Sequence, residues 1–299
     1  EGDWPDCYRV NRFVKGYSGA ASGPGAALET FRRWPSWMWA NEEVRDLVGW
    51  MRTFNAARPE DERVGFYGLD AYSLWDSLRE VMEYLKRHEP AALPEARRAL
   101  RCFHPYGEDA HEYARATVMV PTSCEREVTQ LLQRLLAAAP ADGEDGRDGR
   151  FAAEQNARVV KDAEAYYRAM VRSDSGSWNV RDRHMGDTLD QLLQHHGPGA
   201  KGIVWAHNTH NGDARFTDMA DEGTVNLGQL AREQLGRENV ALVGFGSHRG
   251  AVIAGSQWDA PWEAMAVPPG RPGSWEDTLH AAGPEDKLLF FDDPSDQML

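Results

Sequence analysis

The sequence has no apolar run long enough to cross a membrane, and it has few cysteines. No stretch comes near the roughly 18 consecutive apolar residues that a transmembrane helix needs, which excludes such a helix within this sequence. Cys7, Cys102 and Cys124 are too few and too scattered for a disulfide framework or a zinc ribbon. We therefore predict reduced thiols in a cytoplasmic protein.

Positive charge is also scarce. The chain has 33 Lys and Arg residues against 47 Asp and Glu residues, a net charge of −14 at pH 7. This balance argues against nucleic acid or an anionic membrane as the main partner, but it allows a small molecule held by a local basic group. The G-x-S-x-G elbow and the P-loop are missing as well, which argues against the commonest serine hydrolases and against P-loop nucleotide binding.

The 299 residues, 41% of them hydrophobic, can bury a large core. Short apolar runs typical of buried strands occur at 63–69, 203–206, 240–245 and 288–291, with helical periodicity between them. We therefore predict an α/β fold, with a mainly parallel sheet, flanking helices and a helical insertion. The expected parts are 1–89 as the first part of the core, 90–178 as the helical insertion and 179–299 as the second part of the core.

Helix boundaries are indicated at several positions. Pro5 suits the first turn of a helix that Gly16 would end. Ser36 is the expected N-cap of a later helix, and Ser274 that of a helix through His280. The charged, glycine-rich residues 140–150 are expected to form a solvated loop.

The strongest site signal is the stretch KGIVWAHNTHNGDAR, residues 201–215. Its apolar run predicts a buried strand, and the run stops at a polar cluster that contains His207, His210 and Asp213. Two histidines at the end of a strand in an open α/β sheet are placed for chemistry. The alternative is that they are loop histidines that cap the next helix.

Other predicted strands also end in polar groups, at Asp70 and at His248, and Glu1 would join them if a strand precedes it. The ends of parallel strands meet at one edge of a sheet, so these groups are expected to lie close together. Arg181 belongs to a polar helix face that becomes interesting only if it borders the same cleft as His207. Together, these groups suit hydrolysis of an ester or amide by water that a histidine activates, with a carboxylate to orient the histidine and an arginine to stabilise an oxyanion.

Two further readings stay open. His207 and His210, with Asp213 and Glu1, could instead supply nitrogen and oxygen ligands to a divalent metal, although the H-E-x-x-H spacing is absent. The tryptophan cluster around Trp37 suits either a core or the wall of a binding site for a large apolar ligand.

Several segments, in order along the chain, resemble the erythromycin esterase family. They are EGDWPDCYRVNRFVKG, RRWPSWMWANEEVRDLVGWMRTFNA, VGFYGLDAYSL, RDRHMGDTL, VWAHNTHNGDAR, NLGQLARE and LVGFGSHRGAV. The resemblance implies an α/β core with a helical insertion and a polar cleft at the strand ends. It also implies hydrolysis of an ester, a macrolide lactone being one candidate, by histidine-activated water without a required metal or other cofactor.

The resemblance also implies roles for individual residues. Glu1 is similar to the family's cleft glutamate, and His207 and His210 are similar to its paired cleft histidines, so we predict these three as catalytic. Asp70 and Arg181 lie within family-like motifs, and with them we predict Trp37 and Asp213 as substrate-binding. The expected partner is a small-molecule ester, with no nucleic acid or membrane; a non-hydrolytic homologue that binds a metal or a small molecule is the alternative.

One departure from the family stands out. The family's principal catalytic histidine lies in a Gly-Glu-x-x-His-Gly-like segment upstream of EGDW, and this sequence begins at Glu1 without such a segment. The closing region of the family is not found after residues 288–291 either. These departures favour the expectation that the sequence is part of a longer protein.

Overall fold

The chain folds mainly into helices, not around a parallel sheet. The computed structural model describes residues 1–119, 123–137, 146–172, 174–257 and 259–291. The strand ladder within these ranges is an antiparallel hairpin of β1 (Gly250–Gly255) and β2 (Trp262–Val267). An isolated parallel bridge joins Asp3 to Asp70. The prediction of an α/β fold with a mainly parallel sheet is therefore wrong.

The predicted strands are not helical, but among the described residues they have no strand beside them. Residues 63–69, 203–206, 240–245 and 288–291 contain no helix, and none of them joins a ladder with another described segment. Ile203, for example, is 99% exposed. An apolar run favours extended backbone, but a sheet forms only where a second strand supplies the N–H and C=O partners.

Helices make up most of the described chain. They are α1 (Trp4–Lys15), α2 (Pro24–Leu28), α3 (Glu42–Ala56), α4 (Leu74–His88), α5 (Leu93–Phe103), α6 (Ala110–Met119), α7 (Glu125–Ala137), α8 (Gly146–Met170), α9 (Asp174–His196), α10 (Asn208–Asn211), α11 (Leu227–Leu235) and α12 (Trp275–Ala281). As predicted, Pro5 lies in the first turn of α1 and Gly16 ends it with φ of 79°.

Two predicted helix boundaries are displaced. The N-cap of α3 is Asn41, whose side-chain oxygen accepts the N–H of Val44 at 2.8 Å. Ser36 instead begins a short 3₁₀ turn, so the prediction for Ser36 is wrong. In the predicted loop 140–150, residues 146–150 form the first turn of α8, and residues 140–145 lie outside the described residues.

The chain divides into two compact units, Glu1–Val243 and Gly244–Leu299. The first unit has three buried clusters: one among α4 to α8, one among α1 to α3, and one that joins α1, α8, α9 and α11. In the third cluster the Trp4 ring meets Phe151 edge-on at 5.7 Å. This third cluster positions the candidate site. The predicted three-part division at residues 89 and 178 is not tested by these units and stays a prediction.

The second unit contains the hairpin and α12. Val252 faces Met265 in the hairpin register, and the Ser274 hydroxyl caps α12 as predicted by accepting the N–H of Asp277 at 3.3 Å. Among the described residues of this unit, none is buried.

The cysteines differ from the prediction of reduced thiols. Cys102 at the end of α5 forms a disulfide with Cys124, just before α7, and Cys7 is a free, buried thiol. The prediction is therefore wrong for that pair, and a cytoplasmic location stays a prediction. None of the described helices is both long enough and apolar enough to span a bilayer.

Candidate functional site

Three polar residues from distant parts of the chain, Glu1, Asp70 and His210, converge on the guanidinium of Arg181. Its Nε and Nη2 donate to the two carboxylate oxygens of Asp70 at 2.9 and 2.8 Å. Nη2 also donates to Glu1 Oε1 at 2.6 Å, and Nη1 lies 3.1 Å from His210 Nε2. The planar fork of an arginine matches such carboxylate geometry, so Arg181 holds the cluster together.

The start of the chain lies beside the segment that carries Asp70. The carbonyl of Gly2 accepts the N–H groups of Leu69 and Asp70 at 2.9 and 3.1 Å. Gly68 makes this approach possible, because a Cβ at that position would lie 2.5 Å from backbone atoms of Gly2 and Asp3. The close backbone contact brings the carboxylates of Glu1 and Asp70 to the same guanidinium nitrogen, Nη2 of Arg181.

His210 is buried against α9. Its ring stacks on Trp178 at 4.6 Å with an interplanar angle of 6°, and its Nδ1 lies 2.9 and 3.0 Å from the two oxygens of Asp182. Its Nε2 lies 3.4 Å from Glu1 Oε1. Burial lowers the pKa of His210, but hydrogen bonds to Asp182 and Glu1 outweigh it and raise the pKa to about 9. A pKa in this range favours the imidazolium near neutral pH, although the charge of Arg181, whose donor Nη1 lies 3.1 Å from Nε2, opposes protonation.

Glu1 is held as a carboxylate. Burial raises its pKa, but the hydrogen bond to His210, the charge of Arg181 and the backbone N–H of His207 together hold that pKa well below its usual range. The His207 N–H donates to Glu1 Oε2 at 2.8 Å. Glu1 is consequently a weak base whose two oxygens are both engaged.

His207 lies at the open edge of this cluster. Its ring is exposed, and its Nδ1 lies 2.9 Å from Thr209 Oγ1 and accepts the N–H of Thr209 at 3.3 Å as the N-cap of α10. No described residue engages its Nε2. Of the four residues Glu1, Asp70, His207 and His210, only His207 is exposed to solvent.

A second carboxylate pair borders the cluster. Asp3 is bridged to Asp70 through the backbone, and its Oδ2 accepts from Arg33 Nε at 2.7 Å. Burial raises the pKa of Asp3 to about 7 even though Arg33 opposes the rise, and the nearby Asp70 adds to it. The cluster thus contains both a strongly acidic carboxyl group and a weakly acidic one.

The structure brings together most of the residues predicted from the sequence, but not all. Glu1, Asp70, Arg181 and His210 are in contact, with His207 beside them. The other two residues, Asp213 and Trp37, contact different partners. Asp213 pairs with Arg215 at 2.7 Å and Arg232 at 3.3 Å, and the Trp37 ring meets Trp34 edge-on at 5.5 Å.

Sequence reasoning missed Asp182 and Trp178. Asp182 also accepts the N–H of Leu227 at 2.9 Å, so it ties His210 to the N-terminus of α11. The two residues stand four apart on α9 and therefore share the face on which His210 lies. That spacing was visible in the sequence, but nothing in the sequence connected this face with residue 210.

The described residues hold no group of three or more His, Cys, Asp or Glu side chains arranged to bind a metal ion.

Comparison with known proteins gives one family and two solved structures. The family model described as erythromycin esterase matches residues 1–299. A structure titled as a succinoglycan biosynthesis protein is 18% identical with a TM-score of 0.69, and the match covers 90% of this chain and 62% of that one. A structure of a Bacillus cereus protein is 18% identical with a TM-score of 0.67, and the match covers 93% of this chain and 64% of that one. The chain thus shares their fold over less than two thirds of their length.

Proposed function

The chain belongs to the erythromycin esterase family, and on this premise we propose that it is a hydrolase that cleaves a carboxylic ester with histidine-activated water. The observation that supports the proposal is the contact between Glu1, Arg181 and His210 beside the exposed ring of His207. Ester hydrolysis needs a group that takes a proton from water and a fixed charge pattern that orients it.

Among the residues of this chain, His207 is the proposed proton acceptor. An imidazole can exchange a proton near neutral pH, and this ring is open to solvent next to Glu1. Glu1 fixes the backbone at residue 207 and places a negative charge near the imidazolium that forms. The attacking oxygen bonds to the ester carbonyl carbon, and the proton passes to His207 and then to the departing alkoxide.

His210 has a positioning role in this proposal. As a cation near neutral pH it cannot accept a proton from water. Instead, it and Arg181 keep Glu1 ionised and hold the carboxylate in place, and Asp182 holds the imidazolium. Loss of His210 is therefore expected to move Glu1 and, through it, His207.

The experiment measures hydrolysis of model esters by the complete protein and by three variants. His207→Ala and His210→Asn should each lower kcat/KM by roughly 100-fold or more. His184→Asn is the matched control, because His184 is also buried and pairs with an aspartate, Asp162, at 2.8 Å. His184→Asn should keep most of the activity.

Equal rates in the wild type and both site variants would overturn the site assignment. An equal loss in His184→Asn would show that the effect comes from any buried histidine rather than from this site.

A macrolide lactone is the finer candidate within this proposal, and it rests on the family alone. Incubation of the chain with a macrolide, followed by mass spectrometry, should show the gain of one water in the wild type and not in His207→Ala. An intact macrolide alongside cleaved model esters would assign the site to other esters.

A further inference from the structure

An apolar face leads away from His207 along the segment that precedes it. Exposure alternates along residues 203–207: the odd-numbered residues are exposed and the even-numbered ones are half-buried, the pattern of an extended segment whose side chains two apart point to the same side. Ile203 is 99% exposed and Trp205 is 58% exposed, on the same side as the exposed ring of His207. Val204, between them, instead packs onto the cluster that joins α1, α8, α9 and α11.

A second tryptophan meets this face beside Glu1. The rings of Trp39 and Trp205 pack edge-on with centroids 5.5 Å apart. A Cβ on Gly2 would lie 3.4 Å from Trp39 Nε1, so the indole lies against the backbone next to Glu1. The backbone nitrogen of Glu1 donates to the carbonyl of Trp205 at 2.8 Å. The aromatic corner is thus continuous with the polar cluster.

Covering this apolar surface is favourable, since burial contributes about 25 cal/mol per Å². A macromolecular surface would have to avoid the charged cluster at one end of the face. An ester whose carbonyl lies at Glu1 and His207 would instead place its apolar part on the face without leaving the site. The face runs from residue 207 to residue 203, about 13 Å at the rise of an extended chain.

We propose that Trp39, Trp205 and Ile203 form a binding subsite for the apolar, aryl-bearing part of an ester substrate. The assignment rests on the proposed hydrolase function and adds the substrate class to it: esters with a flat or elongated apolar group rather than short, polar ones. Trp205 is a specificity residue in this assignment, because it contacts the apolar group and not the reacting carbonyl.

Binding is measured without turnover, so that it does not depend on catalysis. The probe is 2-naphthylacetamide, titrated into the full chain by calorimetry. Trp205→Ala should weaken its Kd about tenfold, the effect expected from the loss of one aromatic face, and Ile203→Ser should weaken it less. Trp50→Ala is the matched control, because Trp50 is equally exposed at 58% but lies on α3 against Phe54.

A kinetic comparison gives the second measurement. For 2-naphthyl acetate, Trp205→Ala should raise KM about tenfold with little change in kcat, whereas Trp50→Ala should leave both parameters at their wild-type values. Thermal unfolding checks that both exposed variants remain folded.

An unchanged Kd in Trp205→Ala, an equal loss in Trp50→Ala, or no binding of the probe by the wild type would overturn the subsite. Binding that depends on Trp205 in a chain without esterase activity would support the subsite and refute the hydrolase. Hydrolysis that depends on His207 but not on Trp205 would support the hydrolase and refute the subsite.

Discussion

Replacement of Asp182 by Asn tests the charged state of His210. In the folded protein the pKa of His210 is raised from the ordinary value of 6.5 to about 9. One pKa unit corresponds to about 1.4 kcal/mol, so the rise is worth about 3 kcal/mol of the free energy of unfolding. Asn can still accept the N–H of Leu227 but carries no charge, so burial should bring the pKa of His210 well down in Asp182→Asn.

The sign of the pH dependence follows from the direction of the shift. The folded pKa of His210 exceeds the unfolded one, so its contribution is full below about pH 6.5 and is lost as the pH rises through about 9. The wild type should therefore lose about 3 kcal/mol more than Asp182→Asn between roughly pH 6 and pH 10.

Two measurements check this prediction. Titration of the imidazole Cε1–H signals by NMR, assigned by comparison with His210→Asn, gives the pKa directly. Urea unfolding across the same pH range gives the stability difference. Asp162→Asn is the control, because it breaks the other buried aspartate–histidine pair and should leave the titration of His210 intact. A wild-type His210 that titrates near 6.5, or one that Asp182→Asn leaves unchanged, would refute the reasoning.

Three further predictions concern stability. Glu1→Gln should lower the free energy of unfolding at pH 7. The pKa of Glu1 is depressed, so the carboxylate stabilises the fold in full above about pH 4.5, and the deficit of the variant should shrink as the pH falls below that value. Urea unfolding at pH 7 and below pH 4.5 checks this, and a deficit independent of pH would contradict it. Gly68→Ala should lower the free energy of unfolding by about 1–3 kcal/mol and lower esterase activity, because its Cβ would press on the backbone of Asp3. Gly25→Ala is the control: its Cβ would meet open space, so both quantities should stay at their wild-type values. Cys102→Ser should lower the free energy of unfolding by about 3 kcal/mol, since the disulfide links cysteines 22 residues apart and so restricts the unfolded chain. Reductant should destabilise the wild type by the same amount and leave that variant unaffected.

Much of the candidate site was predictable from the sequence. Glu1, Asp70, Arg181 and His210 were all named from strand ends, a helix face and family-like motifs, and the structure brings them into contact. The argument through a parallel sheet was nevertheless wrong. Backbone contacts between residues 2 and 68–70, rather than a row of strand ends, bring Glu1 to Asp70.

The errors in the predicted site have a common cause. Asp213 and Trp37 are near the site or its motifs in sequence, but their side chains are engaged by local partners, Arg215 and Trp34. Asp182 was missed although it contacts His210 most closely. Separation along the chain says little about which side chains meet once helices pack.

The sequence by itself determined the local structure: α1 between Pro5 and Gly16, α12 after Ser274, and the extended backbone at residues 203–206. These features depend on proline and glycine geometry, on capping and on short apolar runs, all of which act within a few residues. Only the tertiary structure decided that the predicted strands have no strand partners among the described residues, that Asp182 raises the pKa of His210, and that Trp205 is exposed beside Glu1. Each of these depends on which distant segment packs alongside, and the free energy of that choice is spread over the whole core.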